Sequence, residues 1–296
     1  MKYNIYKPFY TVFLLALVFM AGCKKEYESI EVIDQRSIKE YLQKNNLTAS
    51  FKDTLGVYYQ IITPGTGAVV DYTDKVFATF SAKSLDGSFN LQDDGLNRFT
   101  DYLGYFSRER GNGYPNAFAM SVKEILKKKG GTIRVIIPSS LAYGRDGNTA
   151  LNIPGNASLD CTIKVYDVNN KTEFEDIFVK KFIQDNSISG LTRLNSGLYY
   201  KIIDQGTGSE ITENSNVTVS YTGKLSTGTI FDESASYTTY LYSTIPGWVQ
   251  GLPFVKKGGK IRLIIPPSLG YASLAQEKIP PYSILDFEIE VLDVTD

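Results

Sequence analysis

At 296 residues with 43% apolar side chains, the chain can hold one to three ordinary globular cores. Its 31 Lys and Arg nearly balance 32 Asp and Glu, so no strongly basic face is implied and nucleic acid is not an expected partner. It has no histidine, which excludes histidine-dependent triads, zinc proteases and histidine metal sites; no metal and no cofactor are expected. Twenty-one Tyr, sixteen Phe and frequent Gly favour a β-rich chain over a helical bundle.

Lys2 and Lys7 precede an apolar run from about Phe9 to Met20, which leads into Ala21-Gly22-Cys23. The run is too short to span a bilayer and reads as a secretory signal over residues 1–22. Its small-residue end resembles the bacterial lipobox, which implies cleavage before Cys23, acylation of Cys23 and attachment to a membrane through the N-terminal lipid. Cleavage removes two lysines and no acids, leaving a formal charge of 29 − 32 = −3. A lipidated tether and helix then occupy 23–50, with the helix over about Asp34–Lys44.

The remainder is one unit written twice. GVYYQIITPGTG at 56–67 returns as GLYYKIIDQGTG at 197–208, and IKEYLQKNNL at 38–47 returns as VKKFIQDNSI at 179–188, both shifted by 141 residues. KKGGTIRVIIPSSLAYG at 128–144 returns as KKGGKIRLIIPPSLGYA at 256–272, shifted by only 128. The first copy therefore carries an insertion within about 91–116. The segment 91–114 is expected to be a surface loop, with Phe99, Tyr102, Tyr105 and Phe106 as anchors if it serves as a flap for a client. Cys161 lies in a strand-like alternation with Leu159, Ile163 and Val165, as a buried free thiol would. Asn169 and Asn170 mark the boundary between copies, and a second amphipathic helix over about Thr172–Gln184 shows an apolar stripe of Phe174, Ile177, Phe178 and Phe182.

In the second copy, Val217, Val219 and Tyr221 share one strand face, and Phe231 and Asp232 follow a turn at Gly228. Ile245-Pro246-Gly247-Trp248 opens a helical turn that Pro253 discourages from continuing. Ile261, Leu263 and Ile265 alternate as a half-buried strand, Tyr271 lies on the loop beyond, and Ile279-Pro280-Pro281 precede a last strand with Leu285, Phe287, Ile289 and Val291 facing one way. Taken in order, these motifs resemble the FKBP-type peptidyl-prolyl cis-trans isomerases over about 100 residues. The resemblance implies an α+β fold of two FKBP-like domains, each a curved antiparallel β-sheet wrapped around a short α-helix and each preceded by an amphipathic helix. The implied division is a degenerate FKBP-like domain at 51–170, a helical linker at 171–195 and an isomerase domain at 196–296.

The resemblance also assigns roles. Trp248 lies under the prolyl ring, while Tyr221, Phe231, Ile279 and Phe287 form walls. Ile245 offers its backbone N–H, and Tyr271 its hydroxyl, to substrate carbonyls. Asp232 accepts a hydrogen bond from Tyr221 at the pocket edge. An aromatic wall that family members often carry before the Ile-Pro-Gly-Trp turn falls here on Tyr237, Thr239 or Tyr240. In the first copy, shifting by the repeat turns Tyr221 into Phe80, Asp232 into Asn90, Trp248 into Met120 and Phe287 into Cys161, leaving Phe89, Tyr143 and Ile153 of the pocket. The first domain is therefore expected to be weak or inactive and to serve binding or spacing. The implied partners are proline-containing exported polypeptides and macrolide-type ligands of this family. A non-catalytic proline-binding chaperone and an envelope assembly module are the competing readings.

Overall fold

The computed structural model describes residues 28–92, 95, 97–106 and 113–295; the expected signal segment, Cys23 and the Ala-Gly-Cys motif lie outside the described residues. Helix α1 (Ile30–Lys44) comes first, followed by strands β1 (Lys52–Thr54), β2 (Val57–Thr63), β3 (Lys75–Ser84), β4 (Asn90–Leu91) and β5 (Arg98–Tyr102). A short helix α2 (Asn116–Met120) runs into a π turn at Ser121–Leu126, then β6 (Thr132–Ile137) and β7 (Leu159–Tyr166) complete an antiparallel sheet. Its order is β1-β2-β6-β7-β3-β4, with β5 also pairing with β3.

Helix α3 (Lys171–Asp185) leads into the second sheet, built from β8 (Thr192–Arg193), β9 (Tyr199–Asp204), β10 (Asn216–Leu225) and β11 (Ile230–Tyr240), then helix α4 (Pro246–Gly251), β12 (Lys260–Ile265) and β13 (Leu285–Thr295). The order here is β11-β10-β13-β12-β9-β8. With β2 read as β9, β6 as β12, β7 as β13 and β3 as β10, the two topologies coincide. The repeated sequence thus folds to a repeated α+β arrangement of antiparallel strands.

Each sheet is covered on both faces. Ile133, Val135 and Ile137 of β6 point into the N-terminal core, as Ile261, Leu263 and Ile265 of β12 point into the C-terminal core. The odd residue of each run faces the other way and is also buried. Ile136 meets Ile38 and Leu42 of α1 together with Phe51, and Ile264 meets Val179 and Phe182 of α3 together with Tyr199 and Ile284. This explains why both strands read IRxII rather than alternating cleanly with polar residues. Each sheet also carries the same internal ion pair, Arg134 forked onto Asp160 at 2.8 and 2.6 Å and Arg262 onto Asp286 at 2.9 and 2.6 Å.

Helix α3 also serves the first sheet. Phe174 is fully buried and stands 5.6 Å from Phe77 of β3. Ile177, expected on the apolar stripe, is exposed; Glu175 and Val179 take the buried positions instead. The helix rotates because it must present one edge to each sheet. Arg98 of β5 completes the contact, its guanidinium lying 4.1 Å from the Phe178 ring centre and 5.3 Å from that of Tyr282.

The insertion departs from expectation. It is not simply a surface loop, because Phe99 sits on β5 with 3% exposure and Phe106 is fully buried in the N-terminal core. Tyr102 and Tyr105 do remain exposed. Aromatic area buried against β3 outweighs the tendency of a glycine- and charge-rich segment to stay in solvent.

Candidate active site

The C-terminal cavity begins where α4 meets the sheet. Pro246 has the fixed φ that a first helical residue requires, and Gly247 and Gly251 let the helix press onto β12. A Cβ at Gly247 would lie 2.6 Å from Ile265, and one at Gly251 would lie 2.6 Å from Leu263. That approach sinks Trp248 to 4% exposure, against Tyr221 at 5.1 Å and Phe287 at 5.3 Å, both nearly perpendicular to it. Phe231 meets Phe287 edge-on at 5.4 Å. The pairs adopt the edge-to-face geometry that aromatic quadrupoles prefer.

The result is an open cavity of about 430 Å³ lined by Tyr221, Phe231, Asp232, Tyr237, Trp248, Tyr271 and Phe287, with Ser243, Thr244, Ile245 and Pro246 on one side. Seven of the eight catalytic or substrate-binding residues inferred from sequence therefore lie together. The eighth, Ile279, is buried in the core behind them with 6% exposure and does not line the cavity. Of the three candidates for the extra aromatic wall, Tyr237 lines the cavity. A bulge between Val219 and Tyr221 shifts the β10–β11 register, so that Val219 faces Tyr237 and Tyr221 faces Ser234. Such an irregularity has no local sequence signature. Ser243 and Thr244 were not foreseen either, although they immediately precede the Ile-Pro-Gly-Trp turn.

Polar groups among the lining residues come from Tyr221, Asp232, Tyr237, Ser243, Thr244 and Tyr271. Tyr221 donates its hydroxyl to Asp232 Oδ2 at 2.6 Å. Burial and then this bond hold the Tyr221 hydroxyl well above the ordinary tyrosine range. Burial and then the Asp232 charge push the Tyr271 hydroxyl up as well. Both therefore remain hydrogen-bond donors at neutral pH. The N–H of Ile245, the residue that caps α4, finds no acceptor among the described residues.

The corresponding place in the N-terminal unit is filled. Phe80 pairs with Ile163 as Tyr221 pairs with Ile289, and its ring packs against Phe106 at 5.6 Å, Tyr114 at 4.9 Å and Phe118 at 5.6 Å. Phe118, rather than Met120, is the counterpart of Trp248. Asn116 starts its helix 16 residues before β6, whereas Pro246 starts its helix 14 before β12. The wide π turn after α2 absorbs the difference, where the second copy has a tight 3₁₀ turn at Leu252–Phe254. Cys161 is fully buried, and burial pushes its thiol well up.

The cavity thus has an indole floor, phenylalanine walls and a tyrosine–carboxylate pair at its rim. The C-terminal unit belongs to the FKBP-type peptidyl-prolyl cis-trans isomerase family, whose sequence model matches residues 208–292. FKBP-type peptidyl-prolyl cis-trans isomerase FkpA of Buchnera aphidicola subsp. Schizaphis graminum is 46% identical over 123 residues, 40% of this chain and 48% of that protein. FkpA of Escherichia coli K12 is 37% identical over 126 residues, 41% of this chain and 44% of that protein. The solved structure of FkpA from Escherichia coli is 35% identical, covers 42% of this chain and 61% of that chain, and superposes with a TM-score of 0.39. The chain spans about half the length of the curated relatives it matches.

Proposed function

We propose that this protein is a peptidyl-prolyl cis-trans isomerase of exported polypeptides, with its activity in the C-terminal unit. The observation that carries this reading is the cavity over Trp248, walled by Phe231 and Phe287 and rimmed by the Tyr221–Asp232 pair. An X-Pro bond rotates slowly because the amide has partial double-bond character, with a barrier of about 18–20 kcal/mol. The planar amide is the more dipolar state, since resonance places negative charge on oxygen and positive charge on nitrogen. Apolar walls disfavour that state relative to the twisted one, so the barrier falls without any proton or electron transfer. Trp248 supports the prolyl ring, and Phe231, Phe287 and Tyr237 enclose it. The Ile245 N–H and the Tyr271 hydroxyl hold substrate carbonyls, so binding energy fixes the flanking chain while the bond turns. Asp232, held by Tyr221, faces the amide region at the rim.

In this reading residues 51–170 form a degenerate FKBP-like domain, 171–195 a helical linker and 196–296 the isomerase domain. The filled site around Phe80 favours a second role, client binding or spacing, for the first domain. Cys23 carries a lipid that anchors the chain to a bacterial membrane, at the periplasmic or surface face of the outer membrane; the Ala-Gly-Cys motif after the apolar run supports this. Among the described residues no helix is long and apolar enough to cross a membrane.

The test is the isomerisation rate of an X-Pro tetrapeptide with the soluble chain from residue 24 onward, beside its Asp232→Val and Trp248→Leu variants. Acceleration that both variants reduce is expected. A folded chain that gives no acceleration would instead leave a proline-binding module without turnover.

A further inference from the structure

We infer that Glu175, on helix α3 outside the cavity, is a positioning residue for Tyr271. Glu175 is 1% exposed. Its Oε2 accepts the backbone N–H of Ser268 at 3.0 Å across 93 residues of sequence, and its Oε1 faces Lys171 Nζ at 3.8 Å. Ser268 is the middle residue of the tight turn Pro267–Leu269, and Tyr271 follows two residues after that turn. The turn is closed on itself, because Gly270 and Ala272 both donate their N–H groups to the Pro267 carbonyl. Fixing one N–H of so short a turn therefore fixes the backbone from which Tyr271 projects into the cavity.

The same device is built into the first copy. Asp34 of α1 occupies the position 141 residues before Glu175 and is 3% exposed. Its Oδ2 accepts the N–H of Ser140 at 3.1 Å and the hydroxyl of Ser139 at 2.9 Å, while Oδ1 accepts the hydroxyl of Ser158 at 3.1 Å. Ser140 corresponds to Ser268 under the 128-residue shift, and Tyr143 follows its turn as Tyr271 follows the other. Pro267 stands where the first copy has Ser139 and brings no hydroxyl, so the second carboxylate grips by the backbone N–H. A buried carboxylate is costly unless it is paired, yet both helices present one to the same turn. The shared geometry assigns it the task of holding that turn against the helix.

This inference rests on the isomerase reading, and the experiment separates the two. In the soluble chain from residue 24 onward, Glu175→Ala, Glu175→Gln and Glu175→Asp are each made with native Tyr271 and again with Tyr271→Phe. Amide exchange at Ser268 reports the bond itself, and kcat/KM on an X-Pro tetrapeptide reports its consequence, at a temperature where circular dichroism shows every variant folded. Glu175→Ala is expected to speed Ser268 exchange about tenfold and lower kcat/KM about fivefold. Glu175→Gln, which keeps an acceptor oxygen, restores both to within about twofold. With Tyr271→Phe already present, Glu175→Ala costs less than about twofold, because the two residues act through one contact. Unchanged Ser268 exchange, an undiminished rate, or an equal loss in the Tyr271→Phe background would each overturn the assignment. If Glu175→Ala does not fold, Glu175→Asp, which shortens the reach by one methylene, must show the same pattern in smaller degree or the assignment fails. An inactive native chain counts against the isomerase reading, and Ser268 exchange then decides the bond alone.

Discussion

Tyr221 and Asp232 lie on adjacent strands, and the Tyr221 hydroxyl reaches Asp232 Oδ2 at 2.6 Å while its ring stands edge-on to Trp248. One side chain thus ties the polar rim of the cavity to its indole floor. Phe80, its counterpart, has the ring without the hydroxyl and is surrounded by aromatics.

Tyr221→Phe should lower kcat/KM by about 10- to 100-fold, since a hydrogen bond to a charged group contributes about 1.5–3 kcal/mol. The fold should survive because the ring remains. Steady-state kinetics with the X-Pro tetrapeptide, beside a thermal melt, check both parts.

Activity should be flat from about pH 6 to 9. The chain has no histidine, and burial holds the Tyr221 and Tyr271 hydroxyls above the ordinary tyrosine value of 10.0. A raised folded-state pKa means that the Tyr221–Asp232 bond is intact below that value and is lost only as pH rises through the raised one. A pH–rate profile with a limb near neutrality would point to a titrating group elsewhere.

Phe106→Ala should destabilise the chain by about 3–5 kcal/mol, the cost of emptying a buried aromatic site. Phe106 is fully buried and stacks on Phe99 at 4.3 Å. Tyr105→Ala, at an exposed neighbour, should change little. Denaturant melts of the two variants discriminate a core segment from a surface flap.

Removing both Asp232 and Trp248, as Asp232→Val with Trp248→Leu, should leave no measurable isomerisation in the full chain, because Phe106, Tyr114 and Phe118 occupy the first copy's site. Residual acceleration above the uncatalysed rate would mean that the N-terminal unit turns over substrate after all.

Asp176→Asn should cost about 1–2 kcal/mol at pH 7. Burial pushes the Asp176 carboxyl up, but bonds from Arg193, Lys180 and Tyr199 outweigh it and leave it below the ordinary 3.8. With a lowered folded-state pKa the contribution is present above the ordinary carboxylate range and disappears as pH falls through the lowered value. Urea melts at pH 7 and at about pH 3 should show the difference between variant and native chain shrinking in acid.

Much of this was legible along the chain. The repeat, the alternation of β10 and β13, and the Ile-Pro-Gly-Trp turn are local patterns, because side-chain direction in a strand or helix follows a fixed period that residue type alone reveals. They were sufficient to bring seven of eight proposed pocket residues to one cavity. What only the tertiary structure decided concerns places where that period breaks or where two elements compete for one face. A bulge beside Tyr221 selects Tyr237 over Thr239 and Tyr240; a π turn replaces Met120 with Phe118; and contact with two sheets at once turns α3 so that Ile177 faces solvent. Nothing local in the sequence sets the buried carboxylates of Asp34 and Glu175 apart from other helix acids, because their partners lie 93 to 124 residues away. Sequence fixes the period of each segment, whereas register shifts and long-range partners are settled only when separate segments compete for the same buried space.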